Sequence, residues 1–228
     1  MRVLDLFCGA GGATKGLQRA GFHVTGVDIK EQPKYCGDAF IRADAMIFPL
    51  EGFDLIWASP PCQAFTALKT AHNARPHPDL LTPTRERLKA SKTHYIMENV
   101  EGAPMFHPLV ILCGTMFGLF TSDGSAELRR HRVFEHSFPI GLVPPCQHRG
   151  PVIGCYGGHA RDRRRTVTVT SKGGGYNAKN GRPSLGIQKA REAMGIDWMD
   201  SYGLSQAIPP AYSQFMGEQF LRSRDLSI

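Results

Sequence analysis

The apolar residues of this chain fall into short runs that end on a glycine, a proline or an acid, with stretches of mixed polarity between them. Arg2–Phe7 (RVLDLF) reads as a strand running into a glycine turn, and Ala13–Gly21 (ATKGLQRAG) as a short helix closed by Gly21. Phe22–Ile29 is a second strand, ending on an acid, and Phe40–Ala45 a weaker third of the same kind. Phe53–Ser59 is a fourth, and it stops at two prolines. Thr82–Ser91 begins like a helix, with Thr82 as the cap and Pro83 at the first position. Thr93–Val100 and Pro108–Gly114 are further strands. Strands alternating with helical segments predict a doubly wound, mostly parallel, Rossmann-like α/β sheet.

That alternation lapses from Phe138 to about Gly186, a stretch rich in glycine and proline that contains the run Arg161–Arg165 (RDRRR). It reads as a small irregular or β-rich lobe inserted into the fold. The expected organisation is a main domain over 1–137, the lobe over 138–186, and a segment over 187–228 that returns to the main domain. In that last segment Pro210 suits a helix start, and Tyr212, Phe215, Met216 and Phe220 share one helical face.

With 228 residues, 42% of them hydrophobic, the chain can build one sizeable core. The net charge of +7 makes a polyanionic partner plausible. Six scattered cysteines do not form a disulfide framework and predict reduced thiols. No run approaches the roughly 18 apolar residues that span a bilayer, and the N-terminus lacks an apolar leader. A monomeric cytoplasmic protein without membrane contact is the expectation.

Chemistry concentrates at the predicted strand ends. Gly9, Gly11 and Gly12 lie where the first strand turns into a helix, and glycines there let a ligand approach the backbone. Asp28 closes the next strand, where a carboxylate can accept hydrogen bonds from ribose hydroxyls. Thr14 stands where a dinucleotide fingerprint needs its third glycine, which points away from NAD. Asp44 ends the third strand, within reach of an adenine amino group. Cys62 follows Pro60 and Pro61 in WASPPCQAF, a stiff turn that either aims a nucleophile or buries an inert thiol. Glu98 closes the Thr93–Val100 strand, as a carboxyl for the same crevice or as an ordinary capping acid. In RRHRVFEHS, alternation on a strand would put Arg130 and Arg132 on one face, a pair suited to phosphate or a base carbonyl unless it is simply solvated.

Taken in order, DLFCGAGG, SPPCQ, ENV, RRHR and LSQAIPPAYSQFMGEQF resemble the motifs of the C5-cytosine DNA methyltransferase family, over about Arg2–Glu135 and Ile187–Leu221. The chain's size resembles that of compact enzymes carried by phages and prophages, which implies a bacterial, prophage or phage-infected host cytoplasm. The resemblance implies S-adenosyl-L-methionine as cofactor and duplex DNA with a flipped-out cytosine as substrate. It implies that Cys62 attacks C6 of the cytosine, that Glu98 engages N3, that Arg132 contacts O2 and that Arg130 supports the site. Phe7 would stack near the adenine, Gly9, Gly11 and Gly12 would approach the methionine part, Asp28 would hold the ribose, and Asp44 and Ala45 the adenine. Cys8, Ala10, Ile29 and Pro60 would complete the cofactor site. Pro61, Gln63 and Asn99 would touch the substrate, and His72–Leu88 would form a loop closing on DNA. The lobe takes the place of the target-recognition region, with Arg163, Arg164 and Arg165 on DNA phosphates. Ser205-Gln206 departs from the Gly-Asn usual in the family. The same motifs also suit a tRNA cytosine-5 methyltransferase, or a non-catalytic nucleic-acid-binding protein on this fold.

A separate signal lies in CQHRGPVIGCYGGH. Cys146, His148, Cys155 and His159 have the residue types of a zinc site, but the Cys-x-His spacing of the first pair is uncommon, and no metal is expected.

Overall fold

The computed structural model describes residues 1–62, 65, 77–155 and 187–225, together with the short strands 166–168, 176–177 and 182–183. A seven-stranded sheet is built from β1 (Arg2–Leu6), β2 (His23–Asp28), β3 (Ala39–Arg42), β4 (Leu55–Ala58), β5 (His94–Asn99), β6 (Leu109–Leu112) and β7 (Arg132–His136). Its order is β3-β2-β1-β4-β5-β7-β6. β1 pairs in parallel with β2 and β4, and β4 with β5, so these strands end at one edge. β7 is inserted antiparallel between β5 and β6. The expected doubly wound, mostly parallel sheet is therefore present, with one reversed strand.

Central strands need apolar residues on both faces, and β4 (Leu-Ile-Trp-Ala) is buried along its whole length. On one face Val3, Leu55, Trp57 and Phe134 pack against α1 (Gly12–Arg19) and α5 (Pro210–Asp225). Tyr212, Met216 and Phe220 of the predicted α5 face are fully buried there, and Phe215 is partly buried. The helices touch through glycine. A Cβ on Gly16 would sit 2.0 Å from the Pro210 carbonyl oxygen, so only hydrogen fits. On the opposite face Leu4, Leu6, Ile56 and Met97 pack against Leu81 and Leu88 of α2 (Leu81–Ser91).

α2 departs from expectation at its start. Its cap is the Asp79 carboxylate, which accepts from the Leu81 and Thr82 backbone N–H groups and from the Thr82 hydroxyl. Pro83 is thus third in the helix rather than first. Residues 81–88 are also not a loop. Arg85 Nε donates to Glu135 Oε2 at 2.9 Å in a buried ion pair, and Glu135 accepts from the Tyr95 hydroxyl and the Phe106 N–H as well. Residues 72–76 of the expected closing loop lie outside the described residues.

The return after the lobe also differs. Two helices not predicted, α3 (Ile187–Met194) and α4 (Ser201–Gln206), form a third apolar cluster with Ala126, Leu128, Ile153 and Cys155. Ile208, not Ile187, is where the chain rejoins the core of the sheet. Within 138–186 lie β8 (Val152–Gly154), parallel to β9 (Thr166–Thr168), and a two-stranded antiparallel pair, β10 (Tyr176–Asn177) with β11 (Arg182–Pro183).

Candidate active site

The expected site residues lie at or just past the ends of five strands, β1 to β5. β1 delivers Phe7 and the glycine turn, and the turn is made possible by left-handed backbone at Phe7 (φ 60°), Gly9 (φ 52°) and Gly11 (φ 88°). Among the described residues, and Gly9's own chain neighbours apart, no atom approaches within 4 Å of where a Gly9 Cβ would stand. Gly12 is tight instead. A Cβ there would meet the Ile208 carbonyl oxygen at 2.6 Å, which packs the turn against the segment after α4. Trp198 adds a contact that sequence did not suggest, its indole N–H donating to the Ala10 carbonyl at 2.8 Å. Cys8 is buried, and burial pushes its thiol far above the usual range.

Asp28, at the end of β2, accepts from the Gly9 N–H at 3.0 Å through one oxygen and from the Lys30 N–H at 2.9 Å through the other. Its carboxylate is therefore held beside the glycine turn and remains partly exposed. Ile29 beside it is 62% exposed and offers an apolar surface next to the carboxylate. The Asp44 carboxylate is exposed and accepts from the Met46 N–H at 2.8 Å, while Ala45 is buried next to it. An open turn made of glycines, an oriented carboxylate and an exposed apolar face fit a nucleoside cofactor with an aliphatic tail.

The second half of the site follows β4 and β5. Cys62 sits past Pro60 and Pro61, and the Phe65 N–H donates to its carbonyl at 2.9 Å, closing a turn whose Phe65 ring packs into the core. Asn99, expected to touch substrate, is 1% exposed. Its amide donates to the Pro60 carbonyl at 3.0 Å, and its carbonyl oxygen accepts from the Val100 N–H. Buried in this way, it braces the cysteine turn from beneath. Gln63 lies outside the described residues, as do Arg163, Arg164 and Arg165.

Glu98 is buried, and Arg132 Nε lies 3.0 Å from its Oε1. Burial raises the Glu98 carboxyl above its ordinary value even though Arg132, Arg130 and the Ser59 hydroxyl all favour the ionised form. Burial likewise raises the Cys62 thiol, the negative charge of Glu98 adds to the rise, and Arg132 and Arg130 oppose it. Ser59, also unforeseen, accepts from the Trp57 indole at 2.9 Å. Its signal was present as a polar residue at the tip of an otherwise apolar strand.

Arg130 and Arg132 do not share a strand face. β7 begins at Arg132, and Arg130 precedes it in a buried loop. Its guanidinium donates to the carbonyls of Ala207 (3.0 Å), Cys155 (2.8 Å) and Ser205 (2.8 Å). It thus ties the end of β8 and the end of α4 to the segment that leads into β7. Ser205-Gln206 meets the site through this bond and through the neighbouring Ile208–Gly12 contact. A broad cleft of about 670 Å³ lies between His107–Val110 and Glu135–Gly141, and none of the expected cofactor or cytosine residues line it.

Such a sheet, with a glycine turn after β1 and an acid after β2, is a Rossmann-like α/β architecture. Residues 1–105 match the family model for C-5 cytosine-specific DNA methylases. The chain is 25% identical over 215 residues to the Type II methyltransferase M.AgeI of Thalassovita gelatinovora, covering 81% of this chain and 46% of that protein. It thus spans about half the length of the curated relative it matches. Among solved structures, a protein described as a prophage-encoded DNA modification methyltransferase of E. coli superposes with a TM-score of 0.62 at 13% identity, covering 99% of each chain. The Dnmt2 methyltransferase of S. pombe superposes with a TM-score of 0.60 at 13% identity, over 100% of this chain and 99% of that one. Among the described residues no helix is long and apolar enough to cross a membrane.

Proposed function

We propose that this chain transfers a methyl group from S-adenosyl-L-methionine to C5 of a cytosine turned out of duplex DNA, through a covalent bond between Cys62 and C6. The observation that carries this reading is the buried Glu98–Arg132 pair beside a cysteine turn that two prolines and Asn99 hold rigid. The cofactor would lie over Gly9, with Asp28 on its ribose and Asp44 and Ala45 by its adenine, and it supplies an electrophilic methyl group.

The ring carbon C5 is too weakly nucleophilic to react unaided. The Cys62 thiolate adds to C6, and the electron pair of the C5–C6 double bond becomes available at C5. Glu98, whose burial favours the protonated carboxyl, donates to N3 and stabilises the charge that develops on the ring. Protonation of Glu98 also removes the negative charge that holds the Cys62 thiol up, so the acid and the nucleophile become competent together. Glu98 fixes the Arg132 guanidinium, and Arg132 would contact the cytosine O2. After C5 takes the methyl group, water acting as base takes the C5 proton, its C–H electron pair restores the C5–C6 double bond, and the Cys62–C6 bond breaks, which regenerates the thiolate. Arg130 contributes by positioning the loop that carries Arg132.

The net charge of +7 supports a polyanionic substrate. The test is incubation of the full chain with methyl-labelled cofactor and either duplex DNA or tRNA. DNA carrying 5-fluorocytosine should trap the protein covalently, because fluorine cannot leave C5 as a proton does. Label in tRNA alone would move the substrate to RNA, and no trapped adduct would remove Cys62 from the mechanism.

A further inference from the structure

Antiparallel pairing of β6 with β7 sets Leu112 opposite Arg132. One step past that rung, Cys113 and His131 come together. The chain later returns to the same place with Cys146 and His148. One ligand atom from each of the four, two sulfurs and two ring nitrogens, all lie within 4.8 Å of one another. Cys146 Sγ is 3.5 Å from His131 Nε2 and 2.8 Å from His148 Nε2, and Cys113 Sγ is 3.4 Å from His148 Nε2.

We propose that Cys113, His131, Cys146 and His148 form a structural zinc site. Tetrahedral zinc with Zn–S bonds of ~2.3 Å and Zn–N bonds of ~2.0 Å places sulfur and nitrogen about 3.6 Å apart. Two of the three sulfur–nitrogen separations are already close to that value, and the third must open by less than ~1 Å. Two thiolates and two neutral imidazoles balance the charge of a divalent cation and leave no coordination position for water, which makes the site structural.

The surroundings are built to hold such a centre. The Thr115 hydroxyl lies 3.3 Å from Cys113 Sγ and 3.7 Å from Cys146 Sγ, and its oxygen accepts from the Gln147 N–H. Its proton is therefore left for a thiolate, the kind of hydrogen bond that tunes metal-bound sulfur. Glu127 accepts from the backbone N–H groups of Arg149 and Gly150 and from Arg129 Nε, which fixes the chain immediately after His148 by bonds made outside the cluster. Cys155, which the sequence spacing offered as a ligand, is buried in the third apolar cluster with Ala190 and Met194 instead. His159 lies outside the described residues. The metal would clamp three segments: the end of β6, the residue between Arg130 and Arg132, and the segment that leads into the lobe.

The test is the zinc content of the full chain, purified under reducing conditions from zinc-supplemented medium and dialysed against metal-free buffer. About one zinc per chain is expected, and exchange with cobalt(II) chloride should give the thiolate charge-transfer and intense visible bands of a tetrahedral cobalt–sulfur centre. Cys146→Ser and His148→Ala act on exposed residues and should leave a folded chain. They should abolish both signals and remove the sensitivity of Tm to EDTA, whereas Cys155→Ser should keep them. A folded wild-type chain without zinc and without a cobalt spectrum would overturn the proposal. So would full zinc retention in the Cys146→Ser/His148→Ala double variant, or a Cys113–Cys146 disulfide in anaerobically purified protein.

Discussion

Arg132 Nε and Glu98 Oε1 are 3.0 Å apart, with the two side chains only 12% and 7% exposed. A buried ion pair of this kind leaves its survivor stranded when one partner is removed, at a cost of roughly 3–5 kcal/mol unless the survivor changes protonation. Glu98 has that escape. In Arg132→Ala its carboxyl loses the largest influence favouring ionisation while burial persists, so its pKa should rise further. Carbon-13 NMR titration of labelled glutamate reads this directly. A Glu98 resonance that titrates as in the wild type would mean that the pair does not govern the ionisation.

Cys62→Ser should lose methyl transfer by orders of magnitude and keep cofactor affinity. A hydroxyl in the same turn is a far poorer nucleophile toward C6, and the residues proposed for the cofactor, Pro60 apart, lie at or after the ends of β1, β2 and β3. Calorimetry with S-adenosyl-L-methionine and single-turnover methylation measure the two properties separately. Near wild-type turnover would sink the assignment.

Asp28→Ala should weaken S-adenosyl-L-methionine binding by ~1–3 kcal/mol, the range for losing hydrogen bonds to a charged group. The variant also frees the Gly9 and Lys30 N–H groups that Asp28 now accepts from. Unchanged affinity in calorimetry would take Asp28 out of the cofactor site.

Asp5 supplies a pH dependence of stability. Burial raises its carboxyl to about 7, against the hydrogen bonds from Thr14 and with a small contribution from Asp28. In the unfolded chain it ionises near ~3.9. Below that pH both states are protonated and nothing is lost. As pH rises toward 7 the unfolded state ionises first, so folding loses stability, and above 7 the loss is complete at roughly 4 kcal/mol. Asp5→Asn mimics the protonated form and should flatten this part of the curve of denaturation midpoint against pH. Identical slopes for the two proteins would refute the claim.

Gly16→Ala should destabilise the fold, although alanine normally favours a helix over glycine by ~1 kcal/mol. The new Cβ would lie 2.0 Å from the Pro210 carbonyl oxygen, a backbone atom that cannot swing away, so α1 and α5 must separate. Thermal melts give the sign. A raised Tm would show that the helices can part cheaply.

The sequence alone was sufficient for the strand ends. Apolar runs punctuated by glycine, proline and acids are local signals, and in a parallel sheet the tips of successive strands meet at one edge. Gly9, Asp28, Cys62 and Glu98 could therefore be assigned to one crevice before any coordinates, and the α5 face was readable from its period. What the tertiary structure decided were relations between distant segments. Arg130 looked like a partner of Arg132 on a strand, but it lies before β7 and is spent on three carbonyls. Asn99 looked like a substrate contact and proved to be a brace under Pro60. α3 and α4 carry short amphipathic patterns whose apolar faces find partners in distant residues such as Ala126, Leu128, Ile153 and Cys155. Of the Cys113–His131–Cys146–His148 cluster only the Cys146-x-His148 pair was visible in the sequence, because Cys113 and His131 meet through strand register. Pairing across a sheet is set by hydrogen bonds between segments far apart in the chain, and local pattern carries no record of which residues it will bring face to face.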